Sequence, residues 1–337
     1  MGELFYLAFR DPTGAAQGVT AAGIYRQAGV DAALADWTPV RLGGGDWVAW
    51  DRVAEVFRGK RVCFLVHGFN VSADHGVKGG GPAAQEYQAL GAMGLRMSGA
   101  DMVVPVLWPG DGFIGWSYFT AFKTTKAVGA RFADFLTSRA FPAAEVSFVS
   151  HSLGARVVLE AATQAALRRR AGLPWRFGTA ALTAAAVDEG VLDQAPFAAG
   201  VAALPRIVVL SSGRDEILSR GFVIGDRIEG LLWADYRASG GGDGRALGRF
   251  GPQFPTPSAA RERTEWYDFA DAENQEHDDY LPAAWGRPAP GFVNGWSRKR
   301  RQAAEFCRGV FGGFASGLSP HIRDRTGERR AGWTPRL

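Results

Sequence analysis

Ser152 stands in Ser150-His151-Ser152-Leu153-Gly154-Ala155-Arg156, after the strand-length run Glu145-Val146-Ser147-Phe148-Val149 and before the helical Val157-Val158-Leu159-Glu160-Ala161-Ala162. A serine at the tip of a strand–turn–helix unit is where covalent acyl transfer places its nucleophile, on a strained turn that exposes the hydroxyl. Such a turn needs small neighbours because backbone segments come close. Gly154 and Ala155 supply them after the serine, and Ser150 stands where the motif usually has glycine. The helix that follows offers free N–H groups and positive partial charge to a developing oxyanion, with Leu153 N–H as one donor. Serine is also a good helix N-cap, so this motif needs partners before it means chemistry.

A second constellation lies upstream, in Cys63-Phe64-Leu65-Val66-His67-Gly68-Phe69-Asn70. A buried strand that ends in His-Gly, two strands before the serine turn, is where this architecture presents its other oxyanion donor. Gly68 permits the sharp turn, and Phe69 N–H is the expected donor. His67 reads as a loop brace more than as a base. Asn70 either braces the same loop or adds a side-chain donor.

His67-Gly68-Phe69-Asn70, Trp108-Pro109 and Ser150-His151-Ser152-Leu153-Gly154, in that order, resemble the α/β-hydrolase superfamily. More narrowly, they are similar to bacterial serine hydrolases with an His-Gly-Phe-Asn oxyanion loop. The likeness covers roughly residues 60–285. It implies a triad running Ser, acid, His along the chain. The acid should follow the strand Arg206–Ser211, where Asp215 stands, with Glu216 beside it. Asp188, after the preceding strand, competes for the role or braces a loop. Of five histidines, His67 and His151 belong to the motifs and His75 to a glycine-rich loop. For the base that leaves His277, where the family's histidine loop belongs, and His321, in an arginine-rich tail that reads as surface. The resemblance therefore implies Ser152, Asp215 and His277 as catalytic, with Phe69 and Leu153 as oxyanion donors and His67, Gly68 and Asn70 as loop support.

The aromatic segment Phe113-Ile114-Gly115-Trp116-Ser117-Tyr118-Phe119 follows the carboxyl end of a strand. Trp108, Phe113 and Trp116 are thus candidates for an apolar substrate pocket, with packing against the core as the plain alternative. Gly110, Gly112 and Gly115 also spell a dinucleotide-type glycine motif. That reading needs an acid about 20 residues on, at a strand end, and Asp134 falls inside a helical pattern. No cofactor is expected, and no metal, since no His/Asp/Glu cluster has ligand spacing.

These residues must be positioned by alternating elements. Strands are predicted at Arg61–His67, Asp101–Trp108, Val146–Ser150, Ala180–Val187, Arg206–Ser211 and Thr264–Phe269. Helices are predicted at about Arg52–Phe57, Ala83–Met97, Ser117–Arg139, Gly154–Arg170, Gln194–Ala203, Ile217–Leu232 and Ser297–Phe311. Near-continuous apolar strands alternating with helices imply an α/β fold: a mostly parallel central sheet with helices on both faces. Ligands bind such sheets at the carboxyl ends of the strands, where Ser152, Asp215 and the His-Gly loop all fall. Residues 1–59 read as strands and turns joining the sheet, 60–312 as the core, and 313–337 as a basic tail. The stretch 238–257, rich in glycine and proline, reads as a surface loop: a lid, or a mobile excursion.

Composition bounds the rest. The 337 residues include 45 glycines, about twice the usual ~7% share, without a Gly-X-Y period. At 47% hydrophobic residues a large core is assured. Two cysteines exclude a disulfide scaffold and a cysteine zinc site. Of 38 basic residues five are lysine and the rest arginine, with a net charge of +4. The basic runs at 168–170 and 298–301 read as solvated helix faces, and no nucleic-acid partner is expected. No run approaches the ~18 apolar residues of a membrane span, and a cytoplasmic location is expected. The expected partner is a small acyl substrate of apolar character, and the oligomeric state is left open. Function divides into a serine hydrolase (esterase, thioesterase or lipase-like), a non-catalytic scaffold on the same fold, and a lipase held at a membrane surface by its arginine-rich end.

Overall fold

A computed structural model describes residues 3–10, 23–28, 46–47, 50–69, 99–110, 116–138, 141–168, 173–193, 196–223, 226, 244–254, 258–269, 277 and 323–326. Among them, ten strands form one sheet: β1 Glu3–Ala8, β2 Gly23–Ala28, β3 Asp46–Trp47, β4 Arg61–Val66, β5 Met102–Leu107, β6 Glu145–His151, β7 Arg176–Thr183, β8 Arg206–Ser211, β9 Thr264–Asp268 and β10 Arg323–Asp324. Their order is β10-β9-β8-β7-β6-β4-β5-β1-β2-β3. The seven strands from β9 to β1 run parallel, and β2, β3 and β10 pair antiparallel at the two edges. The doubly covered parallel sheet expected from the apolar runs is present.

Burial explains why these runs are strands. In β4, β5 and β8 every residue after the first is buried, as both faces of a covered parallel sheet require. Pro105 sits in β5 where that strand pairs only with β4, because pairing with β1 begins at Val106. A residue without an N–H is tolerated at such a place. The helices are α1 Trp50–Phe57, α2 Trp116–Leu136, α3 Gly154–Arg168, α4 Ala198–Ala203, α5 Leu247–Phe250 and α6 Ala259–Arg263. Helix α3 is buried over its first ten residues and packs on α2, where a Cβ at Gly129 would strike Glu160. Beneath them Phe64 touches Phe132, Phe141 and Phe148 at ring-centroid distances of 5.0, 5.8 and 6.2 Å.

The strands at β4, β5, β6, β8 and β9 lie within a residue of their predicted ends. Strand β7 does not. It starts at Arg176 and stops at Thr183, because Ala184 takes a left-handed φ of 45° and turns the chain out of the sheet. Of the helix expected at Gln194–Ala203, the described residues show helix at Ala198–Ala203 after a turn at 196–197, and that expected at Ile217–Leu232 includes a π-helical turn at Leu218–Phe222. Two residues of the region read as a basic tail, Arg323 and Asp324, pair with Asp268 and Tyr267 at the sheet edge. The helices expected at 83–97 and 297–311 lie outside the described residues. Among the described residues no helix is long and apolar enough to cross a membrane.

Candidate active site

Strand β6 runs straight into the tip residue. Ser152 has φ 50°, a left-handed conformation that non-glycine residues adopt only when surroundings enforce it. Enforcement is visible on both sides of the serine. Its N–H donates to Thr183 O at 2.9 Å, and its carbonyl accepts from Ala186 N–H at 3.0 Å and Ala155 N–H at 3.1 Å. The last residue of β7 and a residue two beyond its break at Ala184 thus grip the Ser152 turn. Gly154 opens α3 against the end of β4, where a Cβ would collide with the Val66 and His67 carbonyl oxygens. Reciprocally, a Cβ at Gly68 would lie 3.0 Å from Ser152 Cβ. At position 150, where the motif usually has glycine, the buried serine hydroxyl donates to Ala181 O at 3.1 Å.

The loop after β4 is braced by an aromatic pair. The His67 ring stacks on Trp108 at 5.3 Å and 14°. Trp108 N–H donates to His67 Nε2 at 3.3 Å, so the proton sits on Nδ1, which donates to Gly68 O at 2.8 Å. The Trp108 indole N–H completes the brace at His67 O, 2.9 Å away. Both ring nitrogens of His67 are thus engaged, one within its own loop and one with the residue after β5. Trp108, a candidate pocket residue, is fully buried, with its indole bonded to the loop after β4. Gly110 has a related task, since a Cβ there would strike the Trp108 ring. Asn70, Phe113 and the Trp116 side chain lie outside the described residues.

Three elements converge on Ser152. Its hydroxyl donates to His277 Nε2 at 2.8 Å, and His277 Nδ1–H donates to Asp215 Oδ2 at 2.8 Å. Asp215 follows β8 and is fully buried, with its other oxygen accepting Leu218 N–H at 2.9 Å. Both carboxylate oxygens are therefore fixed, which aims Oδ2 at the imidazole. Glu216 is exposed and faces Arg220, while Asp188 turns back to accept Gly190 N–H at 2.8 Å. Leu153 N–H, at the start of the turn into α3, makes no hydrogen bond to a described residue. His151 also takes part, because its Nε2–H donates to the His277 carbonyl at 3.1 Å. Sequence reading set His151 aside as a motif residue. The signal that was available is its place beside Ser152 on the same turn.

The stretch 238–257 needs a second correction. Residues 244–254 are not a surface loop: Ala246, Leu247, Gly248 and Gly251 are buried, and α5 docks beneath the site. Leu247 N–H and Gly248 N–H donate to Val187 O and Ala185 O at 2.7 and 2.9 Å, and Gly248 O accepts from Ser212 N–H at 2.9 Å. One short helix thus ties the segment gripping Ser152 to the loop that carries Asp215. Gly248 makes the fit possible, as a Cβ would overlap the backbone of Ala184 and Ala185. Glycine and proline content alone could not distinguish this docked turn from a free excursion.

Among the described residues no group of three or more His, Cys, Asp or Glu is arranged to hold a metal ion. Residues 51–232 match the model of a family described as alpha/beta hydrolase of unknown function (DUF900), which is just over half of the chain. The match includes Ser152 and Asp215 and stops short of His277. No curated protein matches the sequence.

Proposed function

Because the chain belongs to the DUF900 family of alpha/beta hydrolases, we propose that it is a serine hydrolase cleaving an ester, thioester or related acyl bond through an acyl-enzyme on Ser152. The observation that carries this reading is the unbroken relay Ser152–His277–Asp215, with 2.8 Å at each link, on a left-handed strand-to-helix turn.

The chemistry follows from the proton positions. Ser152 Oγ attacks the acyl carbon while its proton passes to His277 Nε2. Asp215 holds Nδ1–H and stabilises the imidazolium that forms. Leu153 N–H and Phe69 N–H receive the oxyanion of the tetrahedral intermediate, each worth roughly 3–4 kcal/mol in the transition state. Collapse expels the alcohol or thiol with the proton from His277. Water then attacks the acyl carbon as His277 takes its proton, and return of that proton to Ser152 releases the acid. The aromatic residues of 113–119, after β5, favour an apolar acyl group.

A fluorophosphonate probe tests the reading. Wild-type protein is expected to form one adduct, located on Ser152 by peptide mass spectrometry. Ser152→Ala is expected to lose it, with ester turnover falling by about 10⁴–10⁶. Labelling that survives Ser152→Ala would overturn the assignment.

A further inference from the structure

The relay leaves one buried histidine of the nucleophile turn without a part in proton transfer. His151 is 4% exposed, and its ring lies 4.8 Å from the His277 ring, tilted by 50°. Its Nε2–H donates to His277 O, and its Nδ1 lies beside the face of Gly68 that lacks a Cβ. One imidazole therefore touches the nucleophile turn, the oxyanion loop and the segment that carries the base.

The two side-chain bonds of His277 are both altered during turnover. The bond from Ser152 is lost once the serine is acylated, and the bond to Asp215 tightens as the ring becomes charged. The bond to the His277 main chain takes no part in the chemistry, and His151 makes the one that comes from a described residue. It is also anchored where displacement is hardest, on a turn whose backbone is gripped by Thr183 and Ala186.

We propose that His151 is a positioning residue: through the Nε2–H bond to the His277 carbonyl it holds the base at a fixed distance from Ser152 in both acylation and deacylation. The role rests on reading Ser152, His277 and Asp215 as a triad. It acts through His277 and requires no contact with substrate.

The test uses the full chain with His151→Phe, which keeps a ring without the donor, and His151→Gln, whose amide N–H can replace it. His151→Ala serves as the donor-free variant if the phenyl ring does not fit. Two readouts are taken. One is the rate of fluorophosphonate labelling at saturating probe. The other is the low-field proton resonance of His277 Nδ1–H, assigned by its absence in His277→Gln. A displacement near 1 Å costs about 100-fold. Labelling in His151→Phe is thus expected to slow by roughly 10–100-fold with little change in probe affinity, and the resonance to be lost to solvent exchange. His151→Gln is expected to restore both. Wild-type behaviour in His151→Phe, or His151→Gln as impaired as His151→Phe, would overturn the proposal. If the wild type does not label while the resonance responds as expected, the hydrolase reading falls and takes the role in acylation and deacylation with it, leaving only the ordering of the His277 ring by His151.

Discussion

Glu160 lies eight residues after Ser152, on the helix that follows it, and is buried against Gly129 of α2. Burial pushes its carboxyl above the ordinary carboxylate range, and the positive charges of Arg156 and Lys126 only partly offset this. Below an unfolded value of ~4.3 the group is neutral in both states and no penalty exists. As pH rises past that value the unfolded chain ionises first, so stability is lost until the folded pKa is reached, and the loss persists above it. Glu160→Gln removes this dependence. Thermal melts at pH 4 and pH 7 are expected to show the Tm difference, variant minus wild type, moving in favour of the variant at the higher pH. A difference that does not move would assign Glu160 a compensated charge. Sequence marked the residue only as part of a helical pattern, because burial between two helices is decided by packing that no local spacing reports. The same limit hid the brace formed by Trp108, which as an aromatic after a strand reads equally well as pocket or core.

At the level of elements, local chemistry foretold what local chemistry controls. Strand ends at β4, β6 and β8 were legible from apolar runs broken by His67-Gly68, Ser152 and Ser212-Gly213, because a turn residue acts where it stands. The relay was legible only through order along the chain, since nothing near His277 distinguishes a base from a surface histidine. The end of β7 and the docking of α5 were not legible. Both depend on Ala184 and Gly248 meeting across more than sixty residues of sequence. Gly248→Ala tests that contact. Overpacking against backbone costs typically about 1–3 kcal/mol, and a Tm loss of roughly 2–4 °C per kcal/mol is expected. Since α5 also holds Ser212, three residues before Asp215, fluorophosphonate labelling should slow as well. Leu247→Ala, which opens a cavity without pushing on Ala184, should lower Tm by a similar or larger amount and labelling by less. Equal effects on labelling would mean that α5 supports the fold alone.

Across the whole molecule the sheet separates two kinds of electrostatics. Its carboxyl-terminal edge gathers Ser152, His277 and Asp215 out of water. Its amino-terminal edge is laced by exposed ion pairs, Arg61 with Asp101 and Arg176 with Glu145, beside an open cleft of about 550 Å³ lined also by Leu173, Pro174 and Trp175. The Arg61 guanidinium and main-chain N–H hold Asp101 below the ordinary carboxylate range. That pairing contributes stability above an unfolded value of ~3.9 and loses it as pH falls through the lower folded value. Both partners face solvent, so the contribution is small and screened by salt. Asp101→Asn should therefore lower Tm at pH 7 by a little, lose the difference from wild type as pH falls towards 3, and lose it again at pH 7 in about 1 M salt. Labelling at Ser152 should proceed at the wild-type rate throughout, because β4 and β5 are paired from Val62 with Met102 to Val66 with Val106 and that ladder does not pass through the Asp101 carboxylate. A slowed reaction in Asp101→Asn would show that the two ends of the sheet are coupled, and that the ion pairs at its foot help set the geometry at its head.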